Sequence, residues 1–133
     1  MTKLLTVKGR SRAELRGISI VPLLTPATAG GEIDEEALLR LVEHVIAGGT
    51  QGIMYCGTTG EFASLTLAQR LRVAHLVTAA VRGRALLFGG IGDTCPAHSV
   101  TLAREFLAAG ADAVVANLPS YYPLTPDMME SYF

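Results

Sequence analysis

The chain has 133 residues, is 50% hydrophobic, carries 17% charged side chains and has a formal net charge of −1. That length holds one domain of modest size and not two. With basic residues grouped only in the first sixteen positions, the sequence offers no electrostatic footprint for nucleic acid or an anionic membrane, and it points to a small neutral ligand or a single anion.

Residues 1-16, MTKLLTVKGRSRAELR, read as a surface lead-in. They lack the continuous apolar core and small-residue cleavage site of a secretory signal. No apolar run approaches the roughly 20 residues that span a bilayer. Cys56 and Cys95 are too few for a disulfide framework, which fits a reduced, cytoplasmic protein.

Residues 17-133 form the domain proper. GISIVPLLT, residues 17–25, is a β-branched run that predicts a first strand, and Asp34 to Ala47 repeats apolar residues at helical steps. Asp34, Glu35 and Glu36 suit a helix start and Gly48-Gly49 a stop. The order then recurs: strand Gly52 to Cys56, helix Thr66 to Val81, strand Ala85 to Gly89, helix Pro96 to Ala109, strand Ala113 to Asn117, and a helix opening at Thr125-Pro126. Strand starts fall about thirty residues apart, the size of a βα unit with its crossover. GTQGIM (residues 49–54) can be laid over GADAVV (residues 110–115) as a weak internal repeat. Strands apolar on both faces imply a parallel sheet covered by helices, hence an α/β fold. Periodicity leaves two architectures open, a doubly wound sheet and part of a (β/α)8 barrel. The first strand ends in TPATAGGE rather than GxGxxG, which argues against a dinucleotide site.

In either architecture chemistry sits at the carboxyl ends of the strands. The candidates there are Thr25, the stretch Gly57 to Glu61, Asp93-Thr94, and Ser120 to Tyr122. In GTTG, glycines at both ends let the backbone curl so that amides and the Thr58 and Thr59 hydroxyls converge on one anionic group. The bland reading is a tight turn whose threonines bond their own backbone. Glu61 reads as a loop holder that accepts backbone N–H bonds rather than as a catalytic acid. Tyr121 and Tyr122 suit either a proton relay or an ordinary interface. His44, His75 and His98 lie in separate helices without metal-ligand spacing. Cys56 reads as a small buried hydrophobe rather than a nucleophile.

Taken in order, Thr25-Pro26, GEID, GTTGE followed by SLT, GGIG, AGADAV and PSYYPLT resemble the pyruvate-dependent class I aldolases grouped as dihydrodipicolinate synthase and N-acetylneuraminate lyase. The resemblance runs from Gly17 through nearly the whole chain. It implies a (β/α)8 TIM barrel of which this chain covers about the first four βα units. It also implies a lyase or synthase in which a lysine forms a Schiff base with pyruvate or another 2-oxo acid, usually within a homotetramer built from tight dimers. By position Thr58 and Thr59 would bind the 2-oxo-acid carboxylate, Thr58 would join a hydroxyl proton relay, and Tyr121 would reach across the tight interface into a neighbouring site. No cofactor or metal is implied, because the lysine iminium is itself the electron sink.

The sequence departs from that pattern in three places. A full barrel needs about 250 residues, and the family's Schiff-base lysine comes from a later strand, whereas the only lysines here are Lys3 and Lys8. The chain is therefore expected to be part of a longer protein and inactive alone; the alternative is a non-catalytic half-barrel that associates with a partner chain. The run Ser120-Tyr121-Tyr122-Pro123 resembles the sugar-acid branches more than the Tyr-Tyr-Asn of many dihydrodipicolinate synthases, which leaves the substrate open. Gln69 stands where many members carry glutamate and is expected to be structural. A third reading, a phosphate-binding module built on GTTG, would respond to phosphate but not to pyruvate.

Overall fold

A computed structural model describes residues 15–119 and 123–132. Four strands, β1 (Ile20–Pro22), β2 (Gly52–Tyr55), β3 (Leu86–Gly90) and β4 (Ala113–Val115), alternate with four helices, α1 (Glu35–Ala47), α2 (Leu67–Val81), α3 (Pro96–Ala109) and α4 (Pro126–Tyr132). Each predicted strand and helix is present. The first and fourth strands are shorter than their predicted runs, because ladder pairing covers only Ile20 to Pro22 and Ala113 to Val115.

Local chemistry sets the helix ends. At α1 the Asp34 side chain accepts the Ala37 amide at 2.9 Å, and Glu35 and Glu36 sit in the first turn, where the helix dipole favours negative charge. At α2 Thr66 and Gln69 form a reciprocal capping box: the Gln69 carboxamide oxygen accepts the Thr66 amide at 2.9 Å, and the Thr66 hydroxyl accepts the Gln69 amide at 3.2 Å. Gln69 is thus structural, as expected. Pro96 opens α3, and Gly110, at φ 110°, closes it with a left-handed cap.

All strand pairings are parallel, in the order β1-β2-β3-β4. Adjacent helices also pack on one another, α1 on α2 and α2 on α3. This sequential order decides between the two architectures. A doubly wound sheet reverses its strand order and covers both faces with helices; here the order advances steadily with neighbouring helices in one layer, as in a barrel wall.

The two faces of the sheet differ accordingly. Toward the helices, Ile53, Tyr55 and Leu87 pack with Leu38 and Val42 of α1, Val73, Ala74, Val77 and Val81 of α2, and Leu102 and Phe106 of α3. Full burial of each larger side chain contributes roughly 1.5–3 kcal/mol. The Tyr55 and Phe106 rings meet edge-on with centroids 5.1 Å apart. On the opposite face Pro22, Met54, Phe88 and Ala113 share one register level. A Cβ at Gly52 would lie 3.0 Å from Ile20 and 3.1 Å from Phe88, so these residues share that inner face.

Candidate functional site

Parallel pairing brings every strand's carboxyl end to one rim, which places Thr25, residues 57–61 and residues 91–94 on the same edge of the sheet. Ser120, Tyr121 and Tyr122 lie outside the described residues.

The 57–60 stretch is shaped by its neighbours. Cys56 leaves β2 with φ 52°, a left-handed conformation unusual for a residue with a side chain. It turns the chain against Gly90 of β3, where a Cβ would lie 2.2 Å from the Cys56 carbonyl oxygen and 3.0 Å from the Gly57 nitrogen. Only glycine permits that approach. On the other side the Thr25 hydroxyl donates to the Gly60 carbonyl at 2.9 Å, tying the first loop to the second. A Cβ at Gly60 would come within 2.9 Å of the Leu23 carbonyl, so this glycine too is required by close packing.

The turn closes through two bonds, from the Glu61 amide to the Thr58 carbonyl at 3.0 Å and from the Phe62 amide to the Gly57 carbonyl at 3.4 Å. A 3-10 turn, Phe62–Ser64, follows. Among the described residues, the amides of Gly57, Thr58, Thr59 and Gly60 donate to no protein acceptor, and the hydroxyls of Thr58 and Thr59 make no hydrogen bond. Both threonines are exposed. The bland reading, threonines bonded to their own backbone, therefore does not describe this loop. The exposed Thr58 and Thr59 thus keep two amides and two hydroxyls unspent at the rim, while the amides of the buried Gly57 and Gly60 also lack a protein acceptor among the described residues.

Other sequence candidates fall into structural roles. The Glu61 carboxylate makes no cap bond; its backbone, at φ 53°, holds the turn instead. This corrects the expectation that its side chain would accept amide bonds. Asp93 accepts the Cys95 amide at 2.9 Å and pairs with Arg70 at 3.2 Å. His98 Nδ1 lies 3.4 Å from the Asp93 carboxylate, while His44 and His75 are exposed on α1 and α2. No group of three metal-ligating side chains gathers among the described residues. The Cys56 thiol is buried and donates to the Arg70 carbonyl at 3.8 Å; burial pushes its pKa up to about 12, against the lowering effect of Arg70, which leaves no thiolate for nucleophilic chemistry near neutral pH. Burial likewise raises the pKa of the Tyr55 phenol, which has no hydrogen-bond partner among the described residues.

Sequence reasoning passed over Arg70. It is 2% exposed and stands on the α2 stripe that otherwise carries Val73, Ala74, Val77 and Val81. A charged residue at i in an i, i+3, i+4, i+7 apolar series is a legible sign of a buried, partnered ion.

A parallel sheet of consecutive βα units with its helices side by side defines the class: part of a (β/α)8 barrel wall. The dihydrodipicolinate synthetase family model matches residues 14–133, and the chain belongs to that family. It is 39% identical over 115 residues to a 4-hydroxy-tetrahydrodipicolinate synthase from an Anaeromyxobacter species, covering 86% of this chain and 39% of that one. With the synthase of the same name from Chloroherpeton thalassium it shares 42% identity over 110 residues, 83% of this chain and 36% of the relative. The chain thus spans about two fifths of the length of these curated relatives. Among solved structures, dihydrodipicolinate synthase from Agrobacterium tumefaciens superposes with a TM-score of 0.79 at 34% identity, over 87% of this chain and 39% of its own. A prophage protein of the same family from E. coli K12, solved in complex with pyruvate, gives a TM-score of 0.82 at 28% identity, over 89% of this chain and 40% of its own.

Proposed function

We propose that this chain supplies the carboxylate cradle of a Schiff-base-forming lyase or synthase that acts on pyruvate or a related 2-oxo acid. The observation that carries the reading is the set of unspent donors at residues 57–60, on the ligand-facing rim of a family barrel wall. A carboxylate has about four acceptor sites, and hydrogen bonds to a charged acceptor each contribute about 1.5–3 kcal/mol. Thr58 and Thr59 would hold the carboxylate through amide and hydroxyl groups. That grip fixes the 2-oxo carbon for attack by an amine, converting a bimolecular encounter into an oriented one. The Thr58 hydroxyl, free to donate and to accept, would pass protons between substrate and Tyr121, a neighbouring protomer's tyrosine in the assembled tetramer.

The amine itself lies outside these four units. Lys3 and Lys8 belong to the lead-in, so carbon–carbon chemistry requires a lysine from another part of a completed barrel. Borohydride trapping with pyruvate tests this reading. A stable covalent pyruvate adduct is expected when the chain is joined to a lysine-bearing downstream half of a family barrel, and none with the 133-residue chain alone. Absence of the adduct from the completed barrel would overturn the proposal.

A second reading, a non-catalytic half-barrel that docks on a partner chain, is favoured by apolar side chains left open on the edge strand β1 and just beyond it, where Ile20 is 41% and Leu24 54% exposed. It predicts no adduct at either length.

A further inference from the structure

Burying a guanidinium is costly unless its donors are matched, and a side chain chosen only to fill the Arg70 site would be apolar. The polar and ring partners of the Arg70 side chain lie at the end of β3, in the loop after it, and in the 3-10 turn that follows the cradle. Nη2 donates to the Gly90 carbonyl at 2.9 Å, Nη1 to the Asp93 carboxylate at 3.2 Å, and Cζ lies over the Phe62 ring, 5.3 Å from its centroid. The Arg70 carbonyl accepts the Cys56 thiol. Nε has no acceptor, so the side chain is held by these bonds rather than by complete satisfaction of its donors.

These partners bracket the cradle. Cys56 immediately precedes residues 57–61, Phe62 immediately follows them, and Gly90 is the residue packed against the Cys56 carbonyl and the Gly57 nitrogen. The helix itself does not need the guanidinium, since α2 already starts on a complete capping box.

We propose that Arg70 is a positioning residue: its planar fork holds the Gly90 carbonyl, on the residue packed against the Cys56–Gly57 corner, and its face covers Phe62 at the far end, so that the 57–60 loop keeps its shape. The proposal rests on the 2-oxo-acid reading of that loop. Lysine cannot replace it fully, because a point charge on a flexible stem reaches one partner at a time.

Amide hydrogen exchange on the full 133-residue chain tests this, with Arg70→Met and Arg70→Lys compared against the unmodified protein. The reporters are the Glu61 and Phe62 amides, which close the turn; the control is the Leu38 amide, bonded to the Asp34 carbonyl at the start of α1. Selective loosening of the turn should speed exchange at the reporters at least tenfold in the methionine variant and at least threefold in the lysine variant, with the control within twofold. Equal acceleration at reporters and control, or none at either, would overturn the proposal. Should the methionine variant not fold, the lysine variant decides by the same comparison. Pyruvate titration followed at the Gly57 to Gly60 amides separates the two claims. If the unmodified chain, joined to a lysine-bearing downstream half, shows no response, the 2-oxo-acid reading fails while the exchange rates still judge the clamp. If it responds, the folded variants should need at least fivefold more pyruvate, and an unchanged requirement would refute the link between clamp and ligand.

Discussion

Gly90→Ala is the sharpest steric test of how the rim is built. The added Cβ would sit 2.2 Å from the Cys56 carbonyl oxygen, 2.7 Å from the Cys56 carbonyl carbon and 3.0 Å from the Gly57 nitrogen. The first contact is short by about 1 Å of ordinary van der Waals separation. All three atoms are backbone, so no rotamer change relieves the clash, and either β3 or the Cys56–Gly57 corner must shift. Overpacking of this kind costs about 1–3 kcal/mol, while the alanine recovers about 0.5–1 kcal/mol by restricting the unfolded chain. The net expectation is a loss of about 1–2 kcal/mol, read as a urea midpoint lower by about 0.5–1 M with an unchanged slope. Gly30→Ala is the matched control. Its Cβ would meet only the Thr28 hydroxyl, at an ordinary 3.6 Å, so its stability should be unchanged or up to about 1 kcal/mol higher. Equal midpoints for the two variants would show that the Cys56 corner yields freely, and that Gly90 does not set the position of the cradle.

Removing a single hydroxyl by Thr58→Val or Thr59→Val, in a barrel completed with a lysine-bearing half, should weaken pyruvate binding about 10- to 100-fold. That corresponds to a lost hydrogen bond to a charged acceptor, and the concentration dependence of borohydride trapping measures it. Thr66→Ala breaks the α2 capping box and should lower stability by about 1 kcal/mol, measured by urea denaturation; an unchanged midpoint would count against that cap. In the folded chain an alkylating reagent at pH 8 should modify the partly exposed Cys95 and spare Cys56, whose thiol is buried and raised to about 12, until denaturant is added. Because the folded thiol ionises later than the unfolded one, stability associated with Cys56 is intact below about pH 8.5 and declines as pH climbs toward 12. A stability profile flat across that window would contradict the burial-driven shift.

Most of the element order is legible in the sequence because its signals are local. The Asp34 cap and the helix start at Pro96 stand where the sequence places them, and the Thr66 capping box and the Gly110 left-handed cap, which the sequence reading did not single out, also act within one turn. Barrel and doubly wound sheet share those local signals and differ only in which strand lies beside which. Strand order, which periodicity does not encode, separates them, and the steady β1-β2-β3-β4 progression does so here. Strand length is similarly non-local: residues 17–25 are mostly apolar, yet the ladder between β1 and β2 spans only three register pairs, Ile20 to Pro22 against Gly52 to Met54.

The candidate site divides along the same line. Glycines 57 and 60 advertise a turn, and the hydroxyls between them advertise donors, so a cradle can be anticipated from the four letters GTTG. What keeps the amides unspent comes from elsewhere in the chain: Thr25, 35 residues upstream, occupies the Gly60 carbonyl, and Gly90 leaves room for the Cys56 turn. Arg70 stands between these cases. Its position on an apolar helical stripe is visible in the sequence, but its partners on the next βα loop are not. An inward-facing arginine with no acid at a helical spacing on its own face implies a partner supplied by another element. In a barrel wall the nearest such element is the following βα loop, where Gly90 and Asp93 receive it.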